Sequence, residues 1–176
     1  MLQFIISLSG LILSSVPIIV LTMKMKNMWK NYILLYIFPF LTFLSMLIYV
    51  IENDEVYLTL TYVFQMLFFL NMYRSYLRKE LFFSLVVLST IMDLSLIFSF
   101  YFATFNFVEI VKKRLQEKAG SIFVILSMLF FDSSLILQIV YIFQNQNYLN
   151  IYTSSLFLFG LILFIIPSLR VVWEKR

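Results

Sequence analysis

Two aspartates lie within long apolar segments, and their chemistry is the first question that the sequence raises. Asp93 is in the middle of STIMDLSLIF, and Asp132 is in FFDSSLIL, about midway along a second apolar segment. A charged side chain at the centre of a bilayer costs about 2.5 to 3.5 kcal/mol on insertion scales, and such residues often mark ion or proton pathways. Each aspartate is therefore a candidate for the passage of protons or cations.

Other polar residues of the apolar segments could contribute to the same path. Ser89 and Thr90 precede Asp93, and Ser133 follows Asp132. At 100° per residue, one polar face is predicted in the third apolar segment: Thr61, Gln65 and Met72. A further set is predicted nearly opposite Asp132 on its helix: Ser127, Ser134 and Gln138. The alternative function of all these groups is interhelical hydrogen bonding, typically worth less than about 1 to 2 kcal/mol for each bond.

The chain lacks the residues that most enzymes and metal sites use. It contains no cysteine and no histidine. Disulfides, thiol nucleophiles, imidazole bases and the commonest zinc and haem ligand sets are therefore excluded. We expect no enzymatic activity, no bound metal and no cofactor.

Composition predicts an all-α, polytopic integral membrane protein. Hydrophobic residues make up 62% of the 176 residues and charged residues 12%, whereas a soluble domain has about half and about a quarter. A transmembrane helix needs about 20 residues, so about six spans and their turns use nearly the whole chain. The sequence predicts a single transmembrane domain, 1–176, with spans at about 1–23, 31–51, 56–73, 81–104, 121–143 and 151–171.

The direction of the fourth span is ambiguous. Lys and Arg near span ends favour the cytoplasmic side, and this places the N-terminus outside. The basic connectors hold Lys24, Lys26, Lys30, Arg74, Arg78, Lys79, Lys112, Lys113 and Arg114. Strict alternation of six spans divides the thirteen basic residues between the two sides, whereas all thirteen lie inside if 81–108 returns to its own side.

Length favours the six-span prediction for this segment. As one helix, 81–108 would be about 42 Å long, more than the roughly 30 Å of a hydrocarbon core, but two full crossings need about 40 residues. No Gly or Pro marks a break within it. The alternatives are five full spans with a re-entrant segment at 81–108, or seven short spans.

The chain also contains a faint internal similarity. Residues 37–53 align with 129–145, which brings Tyr49 onto Tyr141 and Asn53 onto Asn145. Two three-helix repeats that are joined directly would be inverted in the membrane, since each has an odd number of spans. Chance similarity between Leu- and Phe-rich helices is the simpler alternative. Pro39, near the centre of the second span, is predicted to kink its helix.

Two functions remain open at this point. The first is a membrane sensor or scaffold subunit that relays a signal from the bilayer or the outer face to a cytoplasmic partner. The second is a proton or cation channel or transporter subunit that uses Asp93 and Asp132. The expected location is the plasma membrane, in a homo-oligomer or a larger membrane complex. Anionic lipid headgroups attract the basic connectors, and we expect no nucleic acid partner.

Overall fold

The computed structural model describes residues 1–24, 33–77, 92–117, 122–144 and 150–174, with side chains for 1–23, 33–72, 94–113, 122–144 and 150–167. These residues form six α-helices and no strand, which confirms the predicted all-α membrane bundle. The helices are α1 (Leu2–Lys24), α2 (Leu34–Glu52), α3 (Glu55–Leu77), α4 (Met92–Glu117), α5 (Ile122–Phe143) and α6 (Ile151–Glu174).

Four of these helices, α1, α2, α4 and α5, are long and apolar enough to cross a membrane. The apolar part of α6, Ile151–Pro167, is shorter. In α4 the apolar span is Leu94–Lys113, and the helix extends to Glu117. The helix therefore extends beyond the C-terminal end of the predicted span 81–104, and it includes most of the predicted basic connector. Lys, Arg, Gln and Glu are good helix formers, so nothing in 109–117 ends it.

Two helices begin at similar side-chain caps. At the start of α3, the backbone N–H of Val56 donates to Asp54 Oδ1 over 2.9 Å. At the start of α6, the backbone N–H of Thr153 donates to Asn150 Oδ1 over 3.1 Å. Such bonds satisfy amides that have no partner within the helix. Before α3, Asn53 has the left-handed backbone (φ 54°) that ends α2. Only two residues therefore separate α2 from α3, which are antiparallel.

Side-chain contacts give the direction of α5 relative to α6. Ser134 Oγ donates to the backbone carbonyl of Thr153 over 2.8 Å. Four residues earlier on α5, the ring of Phe130 packs on Phe159, which is six residues later on α6. Because a step backward along one helix is a step forward along the other, α5 and α6 are antiparallel.

The second and fifth helices run in the same direction. Tyr36 of α2 packs on Phe164 of α6, and Phe43 of α2 packs on Phe157. The order of these contacts makes α2 antiparallel to α6. Since α5 is also antiparallel to α6, α2 and α5 are parallel to each other.

The fourth helix runs in the same direction as the third. α4 packs against α5, and only residues 118–121 separate the two helices, so they are antiparallel neighbours. α4 is therefore parallel to α6. α3 is parallel to α6 as well, because both are antiparallel to α2.

The first helix is antiparallel to the second, as the reach of the chain requires. Gly10 lies against the ring of Phe43. If α1 and α2 were parallel, Lys24 and Ile33 would lie on opposite sides of this contact, about 36 Å apart. The nine residue steps between them reach at most about 32 Å. Four helices, α1, α3, α4 and α6, therefore point in one direction, and α2 and α5 point in the other.

One end of the bundle collects the basic residues, and we call it the basic end. It holds the last residues of α1, α3, α4 and α6, and with them the helix positions of Lys24, Arg74, Lys112, Lys113, Arg114 and Arg170. The opposite end, the acidic end, holds Glu52, Asp54, Glu55 and Asp93, with no Lys or Arg among the described residues. Lys26, Lys30, Arg78 and Lys79 lie outside the described residues.

The described helices bear on the alternatives for 81–108, of which residues 81–91 lie outside the described part of the chain. Leu77, the last residue of α3, is at the basic end, and Met92, the first described residue of α4, is at the acidic end. A single fourth span that simply alternates in direction with α3 does not fit, because α4 repeats the direction of α3. The charge pattern, which favoured a returning segment, was the better guide here.

The predicted internal similarity is present in the packing. A shift of 92 residues places six of the seven buried residues of α2 on buried residues of α5. The pairs are 35/127, 36/128, 39/131, 42/134, 43/135 and 46/138. The same shift relates buried residues of α3 to buried residues of α6, at 61/153, 62/154, 65/157, 68/160, 69/161 and 72/164.

The two repeats are parallel and not inverted. We call α1, α2 and α3 the first half and α4, α5 and α6 the second half. Each contact in one half has an equivalent in the other: α1 with α2 and α4 with α5, then α2 with α3 and α5 with α6. Between the halves, α3 packs on α4 and α6 packs on α1. The halves are thus related by an approximate two-fold axis along the bundle.

Candidate functional site

The structure separates the two predicted intramembrane acids in depth. Asp93 is the second described residue of α4, at the acidic end of the described bundle. The sequence suggested a position midway along a span, because 81–108 contains no visible break. Its side chain, like Ser89 and Thr90, lies outside the described part of the chain. Asp93 and Asp132 are therefore on neighbouring helices but at different depths.

Asp132 is midway along α5, as predicted. The side chain is half-buried, at the edge of the face that α5 presents to the bundle. Its Oδ1 atom is buried and has no hydrogen-bond partner among the described residues. Ser133, the next residue, is exposed. An acid at this depth with an unpaired oxygen is the clearest chemical feature of the bundle.

The opposite face of α5 carries the predicted polar set, and all three residues are buried. Ser134 Oγ donates to the carbonyl of Thr153 on α6, and Gln138 Nε2 donates to Ser134 Oγ over 3.2 Å. Ser127 Oγ donates to Val124 O of its own helix over 2.8 Å. These groups connect α5 to α6. They do not approach Asp132, which lies on the other side of the helix.

The predicted polar face of α3 is also buried. Thr61, Gln65 and Met72 are each 2% exposed or less. Thr61 Oγ1 and Ser45 Oγ of α2 form a hydrogen bond of 3.0 Å. Thr61 is equivalent to Thr153 in the repeat. Each half therefore has one hydroxyl contact between its second and third helices, at an equivalent depth. This is the arrangement expected of interhelical hydrogen bonds.

Aromatic rings fill the centre of the bundle between the two halves. Phe68 packs edge-on against Phe131 (5.5 Å between ring centroids) and Phe164 (5.7 Å). Phe131 also packs against Phe69 and Phe157. We call these rings the aromatic cluster; its members are Phe43, Phe68, Phe69, Phe131, Phe157 and Phe164, and each is 4% exposed or less. Polar side chains do not form a continuous row through this part of the structure.

No protein-family model, curated protein or solved structure matches this chain. The function must therefore be argued from the residues themselves. Within the described residues, no group of Asp or Glu side chains could hold a metal ion. The chemically distinctive features are Asp132 with Ser133, the polar bonds within each half, and the separation of charge between the two ends.

Several buried polar residues were not predicted, among them Asn106. Asn106 of α4 is 1% exposed, and its Nδ2 donates to the carbonyl of Phe69 on α3 over 2.9 Å. Its Oδ1 is buried with no partner in the described part of the chain. This is a direct side-chain hydrogen bond between the two halves. The sequence signal was a lone amide in an apolar run, but 106 lay in the predicted loop at 105–120.

The basic end is exposed where its side chains are described. Lys112 Nζ lies 3.3 Å from Glu109 Oε1, one turn earlier on α4, and 59% of the Lys112 side chain is exposed. Lys113 is exposed as well. Pro39 is buried within α2, facing the interior at the position that Phe131 occupies in the second half. The kink at Pro39 stays a prediction.

Proposed function

We propose that this chain is an integral membrane sensor or scaffold subunit that relays a signal to a cytoplasmic partner at the basic end. One observation carries the proposal: the four helices that point in the same direction bring the described basic residues to one end of the bundle. Lys and Arg near span ends favour the cytoplasmic side, so the basic end lies inside and the N-terminus outside.

The charge at the basic end fits a docking function. Anionic lipid headgroups attract a basic residue near the surface by about 1 kcal/mol, and acidic segments of a protein partner are attracted in the same way. The acidic end has no Lys or Arg among its described residues, and its two-residue α2–α3 turn is too short for a receptor domain. The signal therefore comes from the bilayer or from a small species at the outer face.

The packed interior connects the two halves of the bundle. The aromatic cluster takes rings from α2 and α3 of the first half and from α5 and α6 of the second half. Closely packed rings do not deform gradually, so a shift of one half displaces the other. The hydrogen bond from Asn106 to Phe69 O adds a directional link between the halves. This packing supports a relay in which movement of one half is transmitted to the other.

The orientation is tested first, because the docking proposal depends on it. The chain has no native cysteine, so Gln116→Cys and Asn53→Cys can each be labelled alone in intact cells with a membrane-impermeant thiol reagent. Asn53 is exposed at the acidic end, and Gln116 is near the end of α4. We expect Asn53→Cys to react and Gln116→Cys to react only after the cells are opened. Labelling of both in intact cells would contradict the proposal.

The partner is tested by affinity purification with matched charge variants. Lys112→Gln with Lys113→Gln removes two exposed charges from the basic end, and Glu52→Gln with Asp54→Asn removes two from the acidic end. We expect the first pair to reduce recovery of cytoplasmic proteins several-fold and the second pair to have no effect. Equal recovery with both pairs, or no partner at all, would contradict a docking function.

A proton or cation path past Asp132 is the second candidate, favoured by the unpaired buried oxygen of that side chain. Purified protein in liposomes would then conduct protons, sodium or potassium, and Asp132→Asn would abolish the flux. Asp93→Asn tests whether the acid at the acidic end belongs to the same path. Liposomes that remain tight to all three ions would exclude this function.

A further inference from the structure

One face of α5 is uncovered along its whole length. The exposed residues recur at alternating intervals of four and three, and we call them the α5 seam: Ile122, Leu126, Leu129, Ser133, Ile136, Val140 and Phe143. This is the spacing of the contact positions of a left-handed helix pair. Ser133 is the central residue of the seam, and Asp132 lies immediately beside it.

The repeat shows that the fold does not require polar residues at this place. A shift of 92 residues relates Asp132 to Phe40 and Ser133 to Leu41 of α2, and both α2 residues are apolar. The equivalent face of α2 is also better covered: Leu41 and Leu44 are partly buried, whereas Ser133 and Ile136 are exposed. The second half thus carries a polar pair on an exposed face where the first half has apolar, partly covered residues.

The Ser133 hydroxyl is a free donor, unlike most hydroxyls of the bundle. Ser15, which is half-buried, and Thr22, which is exposed, each donate to a carbonyl of their own helix, over 2.7 and 2.9 Å. Within the described part of the chain, Ser133 makes no such bond. Next to it, Asp132 is half-buried: its Oδ1 atom is buried, whereas its other carboxylate oxygen is not, and neither oxygen has a hydrogen-bond partner within the described residues. An unused donor and an unused acceptor therefore lie side by side on a face with heptad spacing.

We propose that the α5 seam is a homodimer interface, in which α5 of one copy packs parallel to α5 of a second copy and each Ser133 donates a hydrogen bond to the other copy's Asp132. In a parallel helix pair, a contact residue at the heptad position of Ser133 inserts between four residues of the facing helix. One of these four is the residue that precedes the equivalent position on the facing helix. For Ser133 that residue is Asp132. The two bonds are related by a two-fold axis, as a symmetric dimer requires.

The same observations identify the occupant as a second copy. A symmetric interface needs a donor and an acceptor on one patch, and Ser133 with Asp132 provides both. Two copies with the basic end inside have the same orientation in the membrane, so their α5 helices meet in parallel. The described Lys and Arg positions are near the basic end, so none of them supplies a cation at this depth. This inference goes beyond the relay function and does not depend on it.

Cross-linking of single-cysteine variants tests the geometry and leaves Asp132 and Ser133 intact. Leu129→Cys and Ile136→Cys lie on the α5 seam, and Ile37→Cys and Leu44→Cys are the equivalent α2 controls. In liposomes with a membrane-permeant oxidant, we expect the seam variants to form disulfide dimers at least fivefold faster than the controls. Equal rates in both pairs, or no dimer at any protein-to-lipid ratio, would overturn the proposal.

A second experiment tests the polar pair. Asp132→Phe with Ser133→Leu gives α5 the residues that α2 has at the same place, so the fold is expected to tolerate it. Energy transfer between labelled copies is measured as the protein is diluted with lipid. We expect the dissociation constant of the dimer to rise about tenfold. Ser133→Ala should weaken it less, and Ser15→Ala on α1 not at all.

The outcomes separate this proposal from the relay function. Unchanged dimerisation of the double variant would overturn the seam hydrogen bonds. A monomeric chain that copurifies with another membrane protein through Asp132 would also overturn the second copy as occupant. Loss of dimerisation with retained cytoplasmic partner binding would support the dimer and show that docking does not require it.

Discussion

The two halves of the bundle have the same packing plan but fill it with different side chains. In the second half, Phe131 of α5 lies against Gly160 of α6, 2.8 Å from a Cβ placed on that glycine. At the equivalent positions of the first half, Pro39 is on α2 and Phe68 is on α3. The large ring therefore comes from the second helix in one half and from the third helix in the other. In both halves a large ring fills the space between the second and third helices, but the ring belongs to a different helix in each half.

A second difference concerns what each half leaves uncovered. The outer face of α2 is mostly half-buried, whereas the α5 seam is exposed. The internal polar bonds, Ser45 with Thr61 and Ser134 with the Thr153 carbonyl, are at equivalent depths in both halves. These bonds between the second and third helices thus follow the symmetry of the fold. Asp132 and Ser133 depart from it, which is the reason to assign them a specific interaction.

The largest loss of stability is expected on substitution of Gly160, where the two halves differ most in packing. Gly160→Leu places a side chain where the Phe131 ring and the Ser127 carbonyl, 3.1 Å from an added Cβ, already lie. We expect a loss of about 3 kcal/mol in the free energy of unfolding, at the upper end of overpacking effects. Adding Phe131→Ala should recover a substantial part, because it gives the second half the arrangement of the first. Thermal unfolding in detergent measures both, and no recovery would contradict the exchange of volume.

Removal of the central ring should have the next largest effect. Phe68→Ala deletes contacts with Phe69, Phe131 and Phe164 in the aromatic cluster. We expect a loss of about 2 kcal/mol, less than the 3 to 5 kcal/mol of soluble cores, because lipid tails are as apolar as the core. Phe159, which is 54% exposed, supplies the control. An equal loss for Phe159→Ala in the same unfolding assay would argue against a packed centre.

The hydroxyl bonds test whether the two halves are equivalent in energy. Ser45→Ala removes one interhelical bond, and membrane bonds of this kind average about 0.6 kcal/mol. Ser134→Ala removes the bond to Thr153 and also leaves Gln138 Nε2 without that partner, so we expect a loss of about 1 kcal/mol. Detergent unfolding of the two variants gives the comparison. A larger loss for Ser45→Ala would reverse this ranking.

The smallest effect is expected at the basic end. The Lys112 ion pair with Glu109 is largely exposed, and such pairs contribute about 0.3 to 0.5 kcal/mol. Lys112→Ala should therefore change the unfolding midpoint very little, while Lys112→Gln with Lys113→Gln reduces partner recovery. Substantial unfolding of Lys112→Ala would mean that the end of α4 is structural and not a docking surface.

The sequence predicted the helices better than their directions. Apolar runs of about 20 residues can be recognised because every face of a membrane helix is apolar, and the pair Tyr49 and Tyr141 indicated the repeat. Direction depends on which end of a helix meets which neighbour, and 81–108 has no Gly or Pro to mark a reversal. The distribution of Lys and Arg favoured the basic connectors on one side of the membrane. The length of 81–108 favoured a single fourth span, which would place them on both sides.

The sequence predicted those features of the site that depend on one helix and missed those that depend on contacts between helices. Helical spacing placed Ser134 and Gln138 on one buried face because the period of a helix is fixed. It could not predict the aromatic cluster, since a chain with 21 phenylalanines gives no contrast between rings that face lipid and rings that face the core. Asn106 was missed because its contact, the carbonyl of Phe69, is on another helix.

The two-residue link between α2 and α3 has a consequence for how the protein enters the membrane. A link of two residues, Asn53 and Asp54, is too short for α2 to be in the membrane while α3 is still in water. The two helices are therefore expected to insert as a unit. With the acidic end outside, as proposed, the link crosses the bilayer with the carboxylates of Glu52, Asp54 and Glu55 and without any Lys or Arg. Acidic residues oppose translocation much less than basic ones do, so this composition suits a segment that has to pass through.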